Sequence, residues 1–194
     1  LVDHTLTARS VERLSWSQLQ IVWQAPSAPT LPVNVAWLTI QLVNAHDSGD
    51  WPRLTELLHP SFRDVLPDGR LIDRDQELAI YADFMAGRAD TSGISVTGMD
   101  VIRWEPAGRA WEPVHEDDPN FGSFTGALAQ WVDVRIVYTL DTGEDWEVEG
   151  LVRTVALGGE NGWRLLGFQD LSQTTGDEDS VGWWEVKQRF IPVE

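Results

Sequence analysis

Residues 33–72 constrain this chain more than any other stretch, because they read as an apolar helix, a hard stop, a second short helix and a turn into a sheet. Val35, Leu38, Leu42 and Ala45 recur at helical spacing, and Trp37, Ile40 and Val43 widen the apolar stripe until little polar surface remains. A helix of that kind is expected to be buried on most sides, not docked by one face. Gly49 can take a positive φ just past the helix end, and Asp50 can cap a second helix with Trp51, Leu54, Leu57 and Leu58 on one face. His59-Pro60-Ser61-Phe62 is then expected to close the helical pair. Segments 63–66 and 70–72 flank Pro67-Asp68-Gly69, whose residue types match the positions of a type I turn.

The remaining chain alternates in the manner of a sheet. Asp73 and Gln76 stand in capping-box spacing before a third helix with Leu78, Tyr81, Ala82 and Met85 inward and Gly87 as its end. Strands are expected over 94–104, 131–140, 145–157 and 163–171, the last two joined by Gly158-Gly159-Glu160-Asn161-Gly162 as a hairpin. Within 131–140, Val132, Val134, Ile136 and Tyr138 form the apolar face, and Asp133 and Arg135 lie opposite as a surface ion pair. Residues 105–130 make a long loop whose Trp111, Phe121 and Phe124 either fold over a pocket as a lid or cover the end of the sheet. Residues 1–32 read as an arm, with a half-buried strand over 17–24 and a proline-rich linker, and 173–194 as an extension carrying a strand over 181–191.

Charge and composition limit the partners. Fourteen basic against 31 acidic residues give a net charge of −17, which repels nucleic acid and anionic membranes, so neither is expected as a partner. No apolar run approaches a membrane span. Zero cysteines remove disulfides and thiolate chemistry. With only His4, His46, His59 and His115, no metal and no cofactor is expected. The chain opens at Leu1 without a methionine, consistent with a removed leader or a trimmed chain, and composition leaves the compartment unknown between cytoplasm and export.

Taken in order, LVNAHDSGDWPRLTELLHPSFRDVLPDGRLIDRDQELAIYADFMAG and WEVEGLVRTVALGGENGWRLLGFQDLS resemble the opening helices and the final two strands of the nuclear transport factor 2-like superfamily. That superfamily includes SnoaL-type cyclases, ketosteroid isomerases and limonene-epoxide hydrolases. The resemblance covers 34–172 and implies an α+β cone: three N-terminal helices packed in a curved antiparallel sheet, here with extra N- and C-terminal strands. Such a cone binds a small, largely apolar molecule, and Trp37, Phe62, Tyr81 and Phe168 are the expected wall residues. Phe168-Gln169-Asp170-Leu171 resembles the strand that carries an inward aspartate in the cyclases and epoxide hydrolases, making Asp170 the candidate acid or base. Its ordinary alternative is a strand-end aspartate paired at the surface.

Asp64 falls near the isomerase base and is the second candidate. The isomerase tyrosine, however, falls at Leu42, and its oxyanion acid falls near 150–152, so steroid isomerisation is disfavoured. The Asp133–Arg135 order is reversed from the epoxide-hydrolase pattern. The alternative to an enzyme is a non-catalytic binding or assembly module, homodimeric through the outer sheet face or the terminal strands.

Overall fold

Asn34 and Gly49 set the limits of the first helix. In the computed structural model, which describes residues 33–87, 95–108, 110–175 and 187, α1 (Val35–Ser48) starts where the Asn34 side chain accepts the Ala36 N–H. It stops where Gly49, at φ 62°, turns the chain back on the Ala45 and His46 carbonyls. Asp50 accepts the Arg53 N–H at 3.1 Å and starts α2 (Trp51–Leu57). Before α3 (Arg74–Met85), Asp73 and Gln76 exchange backbone-to-side-chain hydrogen bonds at 2.9 and 3.0 Å, the reciprocal box their spacing predicts.

The strands are β1 (Leu58–Val65), β2 (Leu71–Asp73), β3 (Val96–Pro106), β4 (Glu112–Pro113), β5 (Leu128–Leu140), β6 (Asp145–Gly159) and β7 (Gly162–Thr175). They lie in one sheet in the order β2-β1-β7-β6-β5-β3, with β4 alongside β5. The expected purely antiparallel sheet is corrected to a mixed one: β1 runs parallel to β7, with Asp64 opposite Phe168. The architecture is α+β. No helix among the described residues is long and apolar enough to cross a membrane.

Several local expectations also change. His59-Pro60-Ser61-Phe62 belongs to β1 instead of closing the helices. The first helix is docked by the single stripe Leu38, Leu42, Ala45 and His46, while Trp37 and Ile40 remain 40 % and 47 % exposed. Among the described side chains of α3 the buried ones are Glu77, Ile80 and Tyr81, and Ala82 faces out. The proposed arm 1–32 and its strand lie outside the described residues. So does most of the C-terminal strand expected over 181–191, and Lys187, its one described residue, has helical backbone.

The sheet has two differently filled faces. On the helix-covered face, Val132, Val134, Ile136 and Tyr138 of β5 meet Val148, Val152 and Ala156 of β6, Leu165 and Phe168 of β7, and the buried stripes of the helices. On the outer face, Val65, Phe121, Ala127, Ala129, Val155 and Leu166 make a second, smaller core. Residues of 105–130 therefore cover the outer face: Phe121 is fully buried there, and Asp118 holds the loop by bonding the Asn120 and Phe121 N–H groups and pairing with Arg153 at 2.6 Å. Phe121 and Phe124 are not a lid.

A bulge in β7 connects these cores. Val155 pairs with Gly167 but Ala156 pairs with Leu165, so Leu166 is the extra residue. Leu165 then packs inside, Leu166 packs outside, and Phe168 and Asp170 return inside. Asp170 lies five positions after Leu165. In an unbroken strand they would face opposite ways.

Candidate functional site

On the helix-covered face of the sheet lies a group of ionisable side chains shut off from water. Asp64 on β1, Glu77 on α3, Asp170 on β7 and Lys187 are 0 %, 0 %, 3 % and 2 % exposed. Lys187 Nζ donates to Asp64 Oδ2 at 2.5 Å and to Glu77 Oε1 at 2.8 Å, and it sits 5.7 Å from the centroid of the Phe168 ring. Neither oxygen of Asp170 has a hydrogen-bond partner among the described residues. Among the described residues, one ammonium therefore bonds two of the three carboxyl groups and leaves the third unmet.

Their protonation follows from that imbalance. Burial drives the Asp170 carboxyl well above the usual carboxylate range, and the charges of Asp64 and Glu77 push the same way against Lys187. Glu77 is raised to about 7, by burial first, with Lys187 opposing and Asp64 adding. Burial alone would lower the Lys187 pKa, but Asp64 and Glu77 outweigh it and hold the ammonium charged. The two partners of the Lys187–Glu77 contact thus pull in opposite directions, Lys187 toward charge and Glu77 toward neutrality. Both follow if the charge pair proper is Lys187 with Asp64, the shorter contact, and Glu77 is an acceptor close to its own midpoint at neutral pH.

Around this group sits a layer of aromatic hydroxyl and imidazole. His46 Nδ1 lies 2.7 Å from the Leu42 carbonyl and donates to it, leaving Nε2 to accept from the Tyr81 hydroxyl at 2.9 Å. Burial lowers the His46 pKa to about 4, the Leu42 bond opposing and Lys187 adding, so the ring is neutral at pH 7. Burial raises the hydroxyl pKa values of Tyr81 and Tyr138. Between His46, Trp51, Tyr81, Met99 and Tyr138 a void of about 20 Å³ remains, the room of a single water. A larger open groove of about 300 Å³ runs outside, between Ile40 and Val43 of α1 and Val101, Ile102 and Trp104 of β3.

The structure brings together most of the residues singled out from sequence. Asp64 and Asp170 lie on adjacent strands, with Phe62 and Phe168 in edge-to-face contact at 5.8 Å and Tyr81 on the covering helix. Trp37 is the exception: it lies on the exposed side of α1, outside the buried cluster. Asp133 and Arg135 share the outer face but do not pair. Arg135 instead meets Glu147 at 2.7 Å and Glu149 at 3.4 Å. His59 accepts the Ser61 N–H within β1. His115 lies exposed beside Asp117. No cluster among the described residues is arranged to hold a metal ion.

Sequence reasoning missed Glu77, His46, Tyr138 and Lys187 as members of the site. Two of them carried a signal: Glu77 lies one turn before Tyr81, and His46 one turn after Leu42, both on faces already read as inward.

No family model matches the sequence, and a search of curated proteins returns no match. Solved structures do match. A conserved protein from Planctomyces limnophilus DSM 3776 aligns with a TM-score of 0.52 at 12% identity, covering 73% of this chain and 94% of that one. The hexachlorocyclohexane dehydrochlorinase LinA-type3 from Novosphingobium barchaimii LL02 aligns with a TM-score of 0.50 at 9% identity, covering 74% and 88%. An NTF2-like protein from Cytophaga hutchinsonii ATCC 33406 aligns with a TM-score of 0.42 at 14% identity, covering 73% and 94%.

Proposed function

We propose, for a chain that has the nuclear transport factor 2-like fold, that the space between its helices and sheet is a cone that takes a small, largely apolar molecule and that Asp170 moves a proton on it. One observation carries this reading: both Asp170 oxygens are buried without a hydrogen-bond partner among the described residues. A carboxyl kept for stability is normally paired, since an unsatisfied buried group costs about 1–3 kcal/mol. A carboxyl kept for proton transfer has to leave its oxygens open to the substrate.

The other side chains fit supporting roles. Phe62, Phe168 and Tyr81 supply apolar walls, and Asp64 assists by helping to set the proton affinity of Asp170. The reaction class is proton abstraction next to a carbonyl. Asp170 as carboxylate takes the C–H proton, the electron pair of that bond forms the carbon–carbon double bond of an enolate, and the same carboxyl returns the proton. The Tyr138 hydroxyl, buried on the inner face, is a donor of the kind the carbonyl oxygen needs, in place of the tyrosine absent at Leu42.

The test is deuterium exchange. The full chain is incubated in deuterium oxide with small ketones, with and without an amino group, and loss of the proton signal beside the carbonyl is followed by NMR. Exchange above buffer for the wild type, returning to background in Asp170→Asn, is expected. Equal rates for the two proteins would sink the proton-transfer reading. The small size of the inner void between His46, Tyr81 and Tyr138, about 20 Å³, favours a second reading, a non-catalytic binding or assembly module. Absence of exchange together with a dimer in light scattering, through the outer sheet face or the terminal strands, would favour that one.

A further inference from the structure

Lys187 places in the interior what a ligand would otherwise place there: an ammonium on a short apolar stem. Its Nζ meets Asp64 and Glu77, and the Phe168 ring lies within cation–π distance. The acceptors around it are not exhausted. Asp64 Oδ1, Glu77 Oε2 and both oxygens of Asp170 are buried without a hydrogen-bond partner among the described residues. An ammonium carries three donors, and here three carboxyl groups converge, of which the chain-tethered lysine leaves Asp170 unmet.

We infer that the interior is a binding site for a primary amine with a short aliphatic body, and that Lys187 occupies it as a built-in stand-in. The inference rests on the reading of the interior as a small-molecule cone, and it names the ligand's polar end. An anionic ligand would face three carboxyl groups, and a neutral alcohol would leave the charge of Asp64 without a counter-ion once Lys187 withdraws. An amine that is not tied to the chain can settle among all three acids. The apolar surface of Phe62, Phe168 and Leu165 receives its methylene groups.

The experiment removes the stand-in. Lys187→Ala in the full chain deletes the last three carbons and the nitrogen of the side chain, the shape of n-propylamine, and thermal melting is measured with n-propylamine, n-propanol or propionate. At ten times its Kd the amine is expected to raise the Tm of Lys187→Ala by about 3–6 °C, and to leave the wild type, whose site is filled, unchanged. The alcohol and the carboxylate are expected to do nothing. Equal stabilisation by amine and alcohol would overturn the amine assignment while leaving an apolar small-molecule cone intact. Stabilisation of a folded Lys187→Ala by neither would overturn the amine site, and deuterium exchange would still decide the proton-transfer reading separately. If Lys187→Ala does not fold alone, recovery of folded protein on refolding in n-propylamine but not n-propanol supports the site, and recovery in neither overturns it.

Discussion

Lys187 and Asp64, 123 residues apart in the chain, form an ion pair at 2.5 Å with both side chains buried. Such a pair fixes where Lys187 can lie, because either charge left alone in that space is far costlier than the pair is favourable. Lys187→Met is expected to lower the unfolding free energy by about 3–5 kcal/mol, and Asp64→Asn by a similar amount. The double variant is expected to lose clearly less than the sum of the two. Urea denaturation of the four proteins measures this. Strict additivity would show that the two residues do not meet in solution.

His46 gives the interior a pH dependence of known sign. Its ordinary pKa of 6.5 is lowered to about 4 in the fold, so between those values the unfolded chain binds the extra proton and the folded chain does not. Stability contributed by the neutral ring is therefore complete above about pH 6.5 and is lost as the pH falls toward 4. The loss amounts to roughly 3 kcal/mol. The His46 ring-proton resonances, followed by NMR, are expected to stay fixed from pH 8 down to about pH 5. Titration of His46 near pH 6.5 would show that the Leu42 and Tyr81 contacts are not kept.

Gly167 leaves the space that the β1 backbone and the Phe121 ring of the outer core fill. A Cβ there would fall 2.2 Å from the Arg63 carbonyl oxygen and 2.6 Å from the Phe121 ring. Gly167→Ala is thus expected to cost at least about 1–3 kcal/mol, measured by urea denaturation. Adding Phe121→Ala is expected to recover little of it, because the backbone of β1 blocks the methyl as well.

The same residues show how far the sequence can be read. Helix limits were legible at Gly49, Asp50, Asp73 and Gln76, because capping chemistry is local. So was the inner face of β5, because alternation is local too. The parallel pairing of β1 with β7 left no local mark, and Pro60 after a run of helical leucines read as a stop. Trp37 and Ile40 were misread as buried because an apolar residue on a helix says nothing about whether a neighbour covers it. In the site, Asp64 and Asp170 were reached by resemblance, and the structure lays them side by side. Lys187 was illegible: a buried lysine is identical in sequence to a solvated one, and what marks it is a partner 123 positions away.

Asp170 allows the sharpest separation of a functional residue from a structural one, because the two roles predict opposite signs for the same substitution. A carboxyl that stabilised the fold would be missed. Asp170 has no hydrogen-bond partner among the described residues, and its pKa is driven up by burial and by the neighbouring carboxylates. Asp170→Leu is therefore expected to raise the unfolding free energy by about 1–3 kcal/mol, by removing an unsatisfied buried group at similar volume. Because the folded carboxyl holds its proton at a higher pH than the unfolded one, its contribution is fullest below the ordinary carboxylate pKa and declines as the pH rises toward the folded value. The advantage of Asp170→Leu over the wild type should accordingly widen from pH 4 upward in urea denaturation. The same variant should show no deuterium exchange. A destabilised Asp170→Leu would mean instead that the carboxyl supports the packing, and its claim to proton transfer would fall with it.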